Sequence, residues 1–253
     1  MKFTGPSWTR NLLVLLLVTG SLACTSPSYV LELESSSDTF YQLDDQIPED
    51  SAMVALVAVY AADLQSRMNT VIARSETPIT RGRPEGTLNN LSADILRSAA
   101  VRELGQPVHI GIANFGGLRA PLPGGEITIG NIYELMPFEN TISVLLLSGE
   151  QVRMLADQIA ARRGEPVSGI RFRIEDGRAV DILVGAEPLR RNQEYWVATN
   201  SYVADGGDGM DVFMQARERI DLPVLIRDAM IEYIRHRRVL DYQLEGRIRL
   251  TDE

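Results

Sequence analysis

The chain has 253 residues, of which 45% are hydrophobic and 23% charged, and these proportions are those of a globular protein. They exclude a chain that is disordered throughout. The formal net charge of −9 argues against nucleic acid as a partner, because an acidic surface repels a polyphosphate backbone.

The first 23 residues predict a secretory signal peptide. Lys2 and Arg10 precede the apolar run "NLLVLLLVTG", which is too short to cross a bilayer and leads into the small-residue sequence "SLAC". This segment resembles a bacterial lipoprotein signal, in which Cys24 would be acylated. Such signals usually carry leucine where this chain has Ser21, so ordinary secretion with cleavage at "SLA" is the alternative. We expect an exported protein of the cell envelope, periplasmic or on the outer surface, that is lipid-anchored at Cys24.

Residues 24–50 are rich in serine, acidic residues and proline, and they predict a tether with one edge strand at "YVLELE". Residues 51–253 are expected to form one domain. At its start, apolar residues recur at three- and four-residue steps from Met53 to Ile72, which predicts an amphipathic helix with one buried face.

The next segments alternate between helix and strand patterns. "NNLSADILRSAAVREL" predicts a helix whose start is capped by an asparagine. Buried strands are predicted over residues 108–113 and 139–149. Between Ser148 and Gly164, a helix is expected to begin with a capping box that Ser148 forms with Gln151.

The last third predicts short strands near "GIRFRIED", "RAVDILVG" and "EYWVATN". A helix from about Leu222 to Arg237, capped by Asp221, and a strand at "GRIRL" follow. Because strands and helices interleave without strict repetition, the fold class is α+β or α/β, a single domain with mixed β-sheets flanked by helices.

Three segments carry candidate chemistry. "ANFGGLRAPLPGGEITIG" follows a predicted strand, so its glycines and Arg119 could approach an anion, although such glycines are more often a simple turn. In "LMPFEN", Phe138 could stack on a planar ligand, and a place in the core is the alternative. "NSYVADGGDGMDVF" lacks the spacing of an EF-hand and the Gly-Lys-Ser/Thr of a Walker loop.

In this order and spacing, "NFGGLR", "ITIGNIYELMPFENTI" and "NSYVADGGDG" resemble the C-terminal, substrate-binding domain of the 5′-nucleotidase / UDP-sugar hydrolase family. The resemblance extends from the helix near Met53 to "EGRIRL". It implies that Phe138 and Tyr202 stack on opposite faces of a nucleotide base, that Asn140 is a neighbouring polar contact, and that Asp208 binds the ribose hydroxyls.

The resemblance also implies that Asn114 and Arg119 bind polar groups on the phosphate or sugar side of the ligand. Phe115 stands where the family usually has glycine. The arginine that the family supplies just before a helix has no clear counterpart, and Arg83 or Arg81 is the candidate for this phosphate contact.

The chemistry that the family implies is phosphate ester hydrolysis by a separate N-terminal domain with two metal ions. With only two histidines, His109 and His236, and without the corresponding Asp/His/Asn motifs, this chain is expected to hold no metal and no cofactor.

Two hypotheses follow. In the first, this chain is the standalone nucleotide-binding part of a split 5′-nucleotidase, and a metallophosphatase partner chain carries the divalent metal ions. In the second, it is a nucleoside- or nucleotide-binding lipoprotein without a catalytic role. Whether the chain is part of an enzyme is left open by its sequence.

Overall fold

The computed structural model describes residues 40, 44 and 47–251. The predicted signal peptide, Cys24 and the strand predicted within the tether lie outside these residues. The chain divides into the units Met1–Asp50 and Ser51–Glu253, and the second unit contains all the elements that follow. No described helix is both long and apolar enough to span a membrane.

Helices and strands interleave along Ser51–Glu253. The helices are α1 (Ser51–Met68), α2 (Thr87–Leu104), α3 (Ile129–Leu135), α4 (Gly149–Ala161), α5 (Ser201–Ala204) and α6 (Ile226–Arg237). The strands are β1 (Val71–Ser75), β2 (Ile110–Ile112), β3 (Gly125–Thr128), β4 (Thr141–Ser148), β5 (Val167–Ser168), β6 (Ile170–Glu175), β7 (Arg178–Val184), β8 (Glu187–Pro188), β9 (Glu194–Asn200), β10 (Glu218–Leu225), β11 (Val239–Leu240) and β12 (Ile248–Leu250). The capping box predicted between Ser148 and Gln151 at the start of α4 is confirmed.

The strands form a central sheet in the order β10-β4-β9-β2-β5 and two smaller sheets, β11-β1-β3 and β12-β6-β7-β8. In the central sheet, β2 and β9 run parallel, whereas β4 is antiparallel to β9 and to β10. The predicted mixed α/β architecture is therefore confirmed. Because β4 runs antiparallel to β9, the start of β4 lies at the same end of the strands as the carboxyl ends of β2 and β9.

Both faces of the central sheet are buried, as the apolar run of β4 requires. On one face, Ile142 and Val144 belong to a cluster with residues of α2 and α6. On the other face, Leu145 and Leu147 pack in a second cluster with residues of α4. Alternate residues of one strand thus point to opposite faces, and the sheet lies between α2 and α6 on one face and α4 on the other.

The prediction that α1 has one buried face is wrong. The helix ends at Met68, so Ile72 lies on β1, and no residue of α1 is buried. Leu56, Tyr60 and Leu64, spaced four residues apart, are 58%, 71% and 54% exposed. The periodicity correctly indicates a helix, but an apolar stripe does not reveal which surface covers it.

Two predicted helix starts are also wrong. Helix α2 begins at Thr87 after Gly86, so Asn89 and Asn90 are internal, and Asn89 instead bonds to the backbone of Gly82 at 2.9 Å. In the last third, residues 222–225 extend β10. The register of β10 against β4 shifts between Leu222 and Leu225, around Pro223. An edge strand with such an irregularity tolerates proline, which cannot donate to a ladder.

Asp221 does not cap α6, because that helix begins only at Ile226. The Asp221 carboxylate instead accepts hydrogen bonds from Ser143 Oγ at 2.5 Å and from Arg219 Nε at 2.8 Å. These bonds hold the pKa of Asp221 below its usual value, with the Ser143 contact as the largest cause. Asp221 therefore ties β10 to β4 rather than starting a helix.

Candidate functional site

A cavity of about 380 Å³ opens at the edge of the central sheet where β2 and β9 end and β4 begins. Three loops meet there, one after β2, one before β4 and one after β9. Ligands bind preferentially at the carboxyl ends of strands in open sheets, and the volume falls within the usual range of small-molecule sites.

The predicted substrate-binding residues all line this one cavity, together with two glycines. The lining residues are Asn114, Gly116, Gly117, Arg119, Phe138, Asn140, Tyr202 and Asp208. Arg83, the candidate phosphate contact, is not among them. Segments that are up to 94 positions apart, as Asn114 and Asp208 are, thus come together at one place.

Hydrogen bonds between side chains connect two of the three loops of the cavity wall, the loop after β2 and the loop after β9. Asn200 Oδ1 accepts from the N–H of Val203, and Asn200 Nδ2 donates to Asn114 Oδ1, both at 2.8 Å. Asn114 Nδ2 in turn donates to Asp208 Oδ2 at 2.8 Å. No role was predicted for Asn200, and its position as the last residue of a strand before a helix was the available signal.

Asp208 is fixed on several sides. Its Oδ1 accepts from the Tyr202 hydroxyl at 3.1 Å, and its N–H donates to the same hydroxyl at 3.2 Å. Arg162 donates to its backbone carbonyl. Each carboxylate oxygen receives one protein donor, so further lone pairs remain for a ligand.

Two glycines permit this close packing. A Cβ atom on Gly207 would lie 2.5 Å from Tyr202 Cε1, and a Cβ atom on Gly117 would lie 2.7 Å from Asn114 Oδ1. Any larger residue would displace the Tyr202 ring or the Asn114 amide. The glycines of both motifs therefore serve the placement of neighbouring side chains.

The two aromatic residues of the cavity lie outside the apolar core. Phe138 is 41% exposed and Tyr202 is 47% exposed. The guanidinium carbon of Arg119 lies 6.0 Å from the centre of the Phe138 ring. Exposed ring faces beside a polar cavity are suited to contact a planar ligand.

A second group of side chains supports the first loop from behind. Phe115 lies beneath two guanidinium groups, with Arg81 Cζ at 4.8 Å and Arg83 Cζ at 4.4 Å from the ring centre. Glu165, which is 4% exposed, accepts the N–H of Phe115 at 2.6 Å and lies 3.4 Å from Arg83. Glu165 was not predicted, because nothing in "RRGEP" marks its long-range contact.

Burial raises the pKa of Glu165 above its ordinary value. The hydrogen bond from Phe115 and the charges of Arg83 and Arg162 act in the opposite direction, while Asp208 adds to the rise. A charged group at this position is therefore costly, and the N–H of Phe115 and the guanidinium of Arg83 offset part of that cost.

In the part of the chain that the structure describes, no group of three or more His, Cys, Asp or Glu side chains could hold a metal ion. His109 Nδ1 accepts from the N–H of Trp196 at 3.0 Å. Burial, and then the charge of Arg97, lower the pKa of His109. This histidine thus joins the segment before β2 to β9.

Comparison with known proteins places these features in a family. Residues 71–215 match the model of the family described as "5'-nucleotidase, C-terminal domain". A 5′-nucleotidase of Diplobatis ommata is 28% identical over 238 residues, which cover 81% of this chain and 41% of that protein. An apyrase of Tabanus yao is 25% identical over 238 residues, which cover 82% of this chain and 43% of that protein. The chain thus spans less than half the length of these relatives.

Solved structures of similar fold lead to the same family. The 5′-nucleotidase precursor of Thermus thermophilus has a TM-score of 0.71 at 30% identity, over 81% of this chain and 44% of that one. The NAD nucleotidase of Haemophilus influenzae shares the fold, with a TM-score of 0.62 at 21% identity over 83% of this chain and 42% of that one.

Substitution of Glu165 by glutamine tests the electrostatics of the site. The folded protein binds the Glu165 proton more tightly than the unfolded chain, because burial raises the pKa. The resulting stability is fully present below the unfolded pKa and is lost as pH rises through the folded pKa. We therefore expect wild type to gain stability relative to Glu165→Gln as pH falls from neutral to 4.5, the ordinary glutamate value.

Urea denaturation of both proteins across this pH range measures the difference. Glu187→Gln, at a side chain that is 72% exposed, is the matched control. A difference between wild type and Glu165→Gln that stays constant, or that changes in the opposite direction, would contradict the prediction.

Proposed function

The chain belongs to the family of 5′-nucleotidase C-terminal domains, and from this premise we propose that its cavity binds a nucleoside or nucleotide for a split 5′-nucleotidase. The observation that carries the proposal is the convergence of two exposed rings and one carboxylate on a single cavity at the sheet edge. The base would lie between Phe138 and Tyr202. Each ring face would contribute about 1–3 kcal/mol of stacking free energy.

Asp208 is the proposed ribose ligand. Its carboxylate keeps acceptor capacity after it has bound Asn114 and Tyr202. Two vicinal hydroxyls can donate to one carboxylate, and a charged acceptor makes such hydrogen bonds stronger than a neutral one. The Tyr202 hydroxyl would hold Asp208 in place while the Tyr202 ring contacts the base.

The remaining polar groups of the cavity would bind the other parts of the ligand. Asn140 would be a polar contact beside Phe138, and Arg119 would approach the phosphate. Asn114 donates to Asp208 and accepts from Asn200, so we propose that it positions the carboxylate as well as contacting the ligand.

Hydrolysis is proposed to require a partner chain that carries a metallophosphatase domain and its divalent metal ions. Helix α1 offers a surface for that partner, because Leu56, Tyr60 and Leu64 expose an apolar stripe in water. Helix α3 connects this surface to the cavity. The N–H of Ile129, its first residue, donates to the carbonyl of Thr70 just after α1. The carbonyl of Leu135, its last residue, accepts from the N–H of Arg119.

Seven helical residues span roughly 10 Å, so α3 leads from the end of α1 to the cavity wall over a distance of that order. We further propose that a lipid at Cys24 keeps this assembly at the membrane, as the sequence predicts.

Removal of either ring tests the aromatic clamp. We expect Phe138→Ala and Tyr202→Ala each to weaken adenosine binding by about 5- to 150-fold, which corresponds to the loss of one stacking face. Tyr202→Phe keeps the ring but loses the hydroxyl that holds Asp208, so its loss of affinity should be smaller than that of Tyr202→Ala. Isothermal titration calorimetry on the full-length chain measures the affinities, and thermal unfolding confirms that each variant is folded.

Tyr60→Ala, an exposed tyrosine outside the cavity, is the control. Unchanged affinity in both alanine variants would reject the clamp.

A dideoxy ligand tests the role of Asp208. We expect Asp208→Asn to weaken adenosine binding by about tenfold and to leave 2′,3′-dideoxyadenosine almost unaffected, because only the former donates hydroxyls to the carboxylate. Asp205→Asn, an exposed aspartate in the same loop that pairs with Arg219, is the matched control. Equal losses for both ligands would contradict a diol contact.

Charged substitutions on α1 test the partner. After purification of the full-length chain from its native cells, we expect a co-purifying protein with a metallophosphatase domain and Mn²⁺-dependent hydrolysis of AMP. Both should be lost in the double variant Leu56→Glu/Tyr60→Glu, because burying a charge in the interface is costly. Met154→Glu, on the exposed side of α4, should retain both. Self-association alone, or binding to lipid vesicles alone, through α1 would count against this partner.

A further inference from the structure

Four arginines surround the cavity loops, and the structure uses them in different ways. Arg119 is the one arginine among the described residues that line the cavity. Arg162 donates to the backbone carbonyl of Asp208 and so fixes the loop. Arg81 and Arg83 lie against the Phe115 ring. Only one of the four guanidinium groups is thus presented to a ligand in the cavity.

Phe115 holds Arg81 and Arg83 behind the first loop. Aromatic faces attract guanidinium groups at the observed distances of 4.8 and 4.4 Å. Arg81 Nη1 also donates to the Leu118 carbonyl at 2.9 Å. Neither arginine, nor the Phe115 ring, lines the cavity.

Glu165 completes this arrangement. One of its carboxylate oxygens accepts the N–H of Phe115, and the other lies 3.4 Å from Arg83 Nη2. The same side chain therefore fixes the backbone that carries the ring and neutralises one of the two cations on it. Because Glu165 is buried, this contact is weakly screened by solvent.

The charge that faces a ligand is consequently balanced. Arg119 and Asp208 are the charged residues among the described lining residues, so their formal charges cancel. A nucleoside requires no cation, and one phosphate can meet Arg119. Each additional phosphate would bring more negative charge to a protein whose net charge is already −9, and the described lining residues offer it no further guanidinium.

We infer that Phe115 and Glu165 set the charge class of the ligand. By holding Arg81 and Arg83 outside the cavity, they make it select nucleosides and nucleoside monophosphates over di- and triphosphates. This inference rests on the proposed function and specifies its substrate class. Both residues act through the arginines, as positioning residues that determine specificity.

Calorimetric titration of the full-length chain with adenosine, AMP, ADP and ATP tests the inference. The buffer contains EDTA at fixed ionic strength, so that neither metal complexes nor turnover affect the affinities. We expect wild type to bind AMP at least as tightly as adenosine, and to bind ADP and ATP more weakly than AMP.

In Phe115→Leu, which removes the aromatic face and keeps an apolar side chain, the ratio of ADP affinity to adenosine affinity should rise about three- to tenfold. Such a rise is the effect of one added charge-assisted contact in a partly exposed site. Tyr233→Leu removes the ring near Arg237, 5.2 Å from the guanidinium carbon and away from the cavity, and should leave the ratio unchanged.

Glu165→Gln removes the carboxylate partner of Arg83 without removing the ring and should raise the same ratio, so the inference stays testable if Phe115→Leu does not fold. Tighter binding of ATP than of AMP by wild type, or unchanged ratios in the folded variants, would overturn the inference and leave the proposed function intact. An absence of adenosine binding by wild type would overturn the proposed function, and the inference with it.

Discussion

The hydrogen bonds from Asn200 to Asn114, which is buried, and from Asn114 to Asp208, which is partly buried, are the contacts on which the cavity depends. They join the end of β9 and the loop that follows it to the loop after β2. A buried amide that lost its partner would cost about 1–3 kcal/mol. Correct placement of these loops is therefore a condition of a stable fold as well as of ligand binding.

The central sheet makes those contacts possible. Parallel pairing of β2 with β9 brings two strand ends to one edge, and antiparallel pairing with β4 brings a strand start to the same edge. Because helices cover both faces of the sheet, the edge remains the place where polar loops can meet around a ligand. The arrangement of the site thus follows directly from strand direction.

Much of the cavity could be predicted from sequence, because its motifs combine glycines, aromatic residues and carboxylates in a recognisable order. The placement of Phe138, Tyr202 and Asp208 on one cavity agrees with that prediction. Local pattern also located β4 and the cap of α4 correctly. The strand β4 and the cap of α4 each depend on residues that are close together in the chain.

The features that the sequence predicted wrongly or missed depend on residues that are far apart in the chain. The exposure of α1 depends on what covers it, and the start of α6 depends on the pairing of residues 222–225 with β4. Glu165 acquires its importance from a contact with Phe115 across 50 positions. Local periodicity and spacing contain no information about such long-range contacts, so only the three-dimensional structure could identify them.

The left-handed backbone of Asp208, with φ of 52°, has a consequence for the dynamics of recognition. Few non-glycine residues adopt this conformation, and it persists only where the surroundings enforce it. Here the Tyr202 hydroxyl, the Asn114 amide and Arg162 all bind the residue through contacts within the protein itself. The ribose would therefore meet a preorganised carboxylate, and little conformational entropy would be lost from this loop on association.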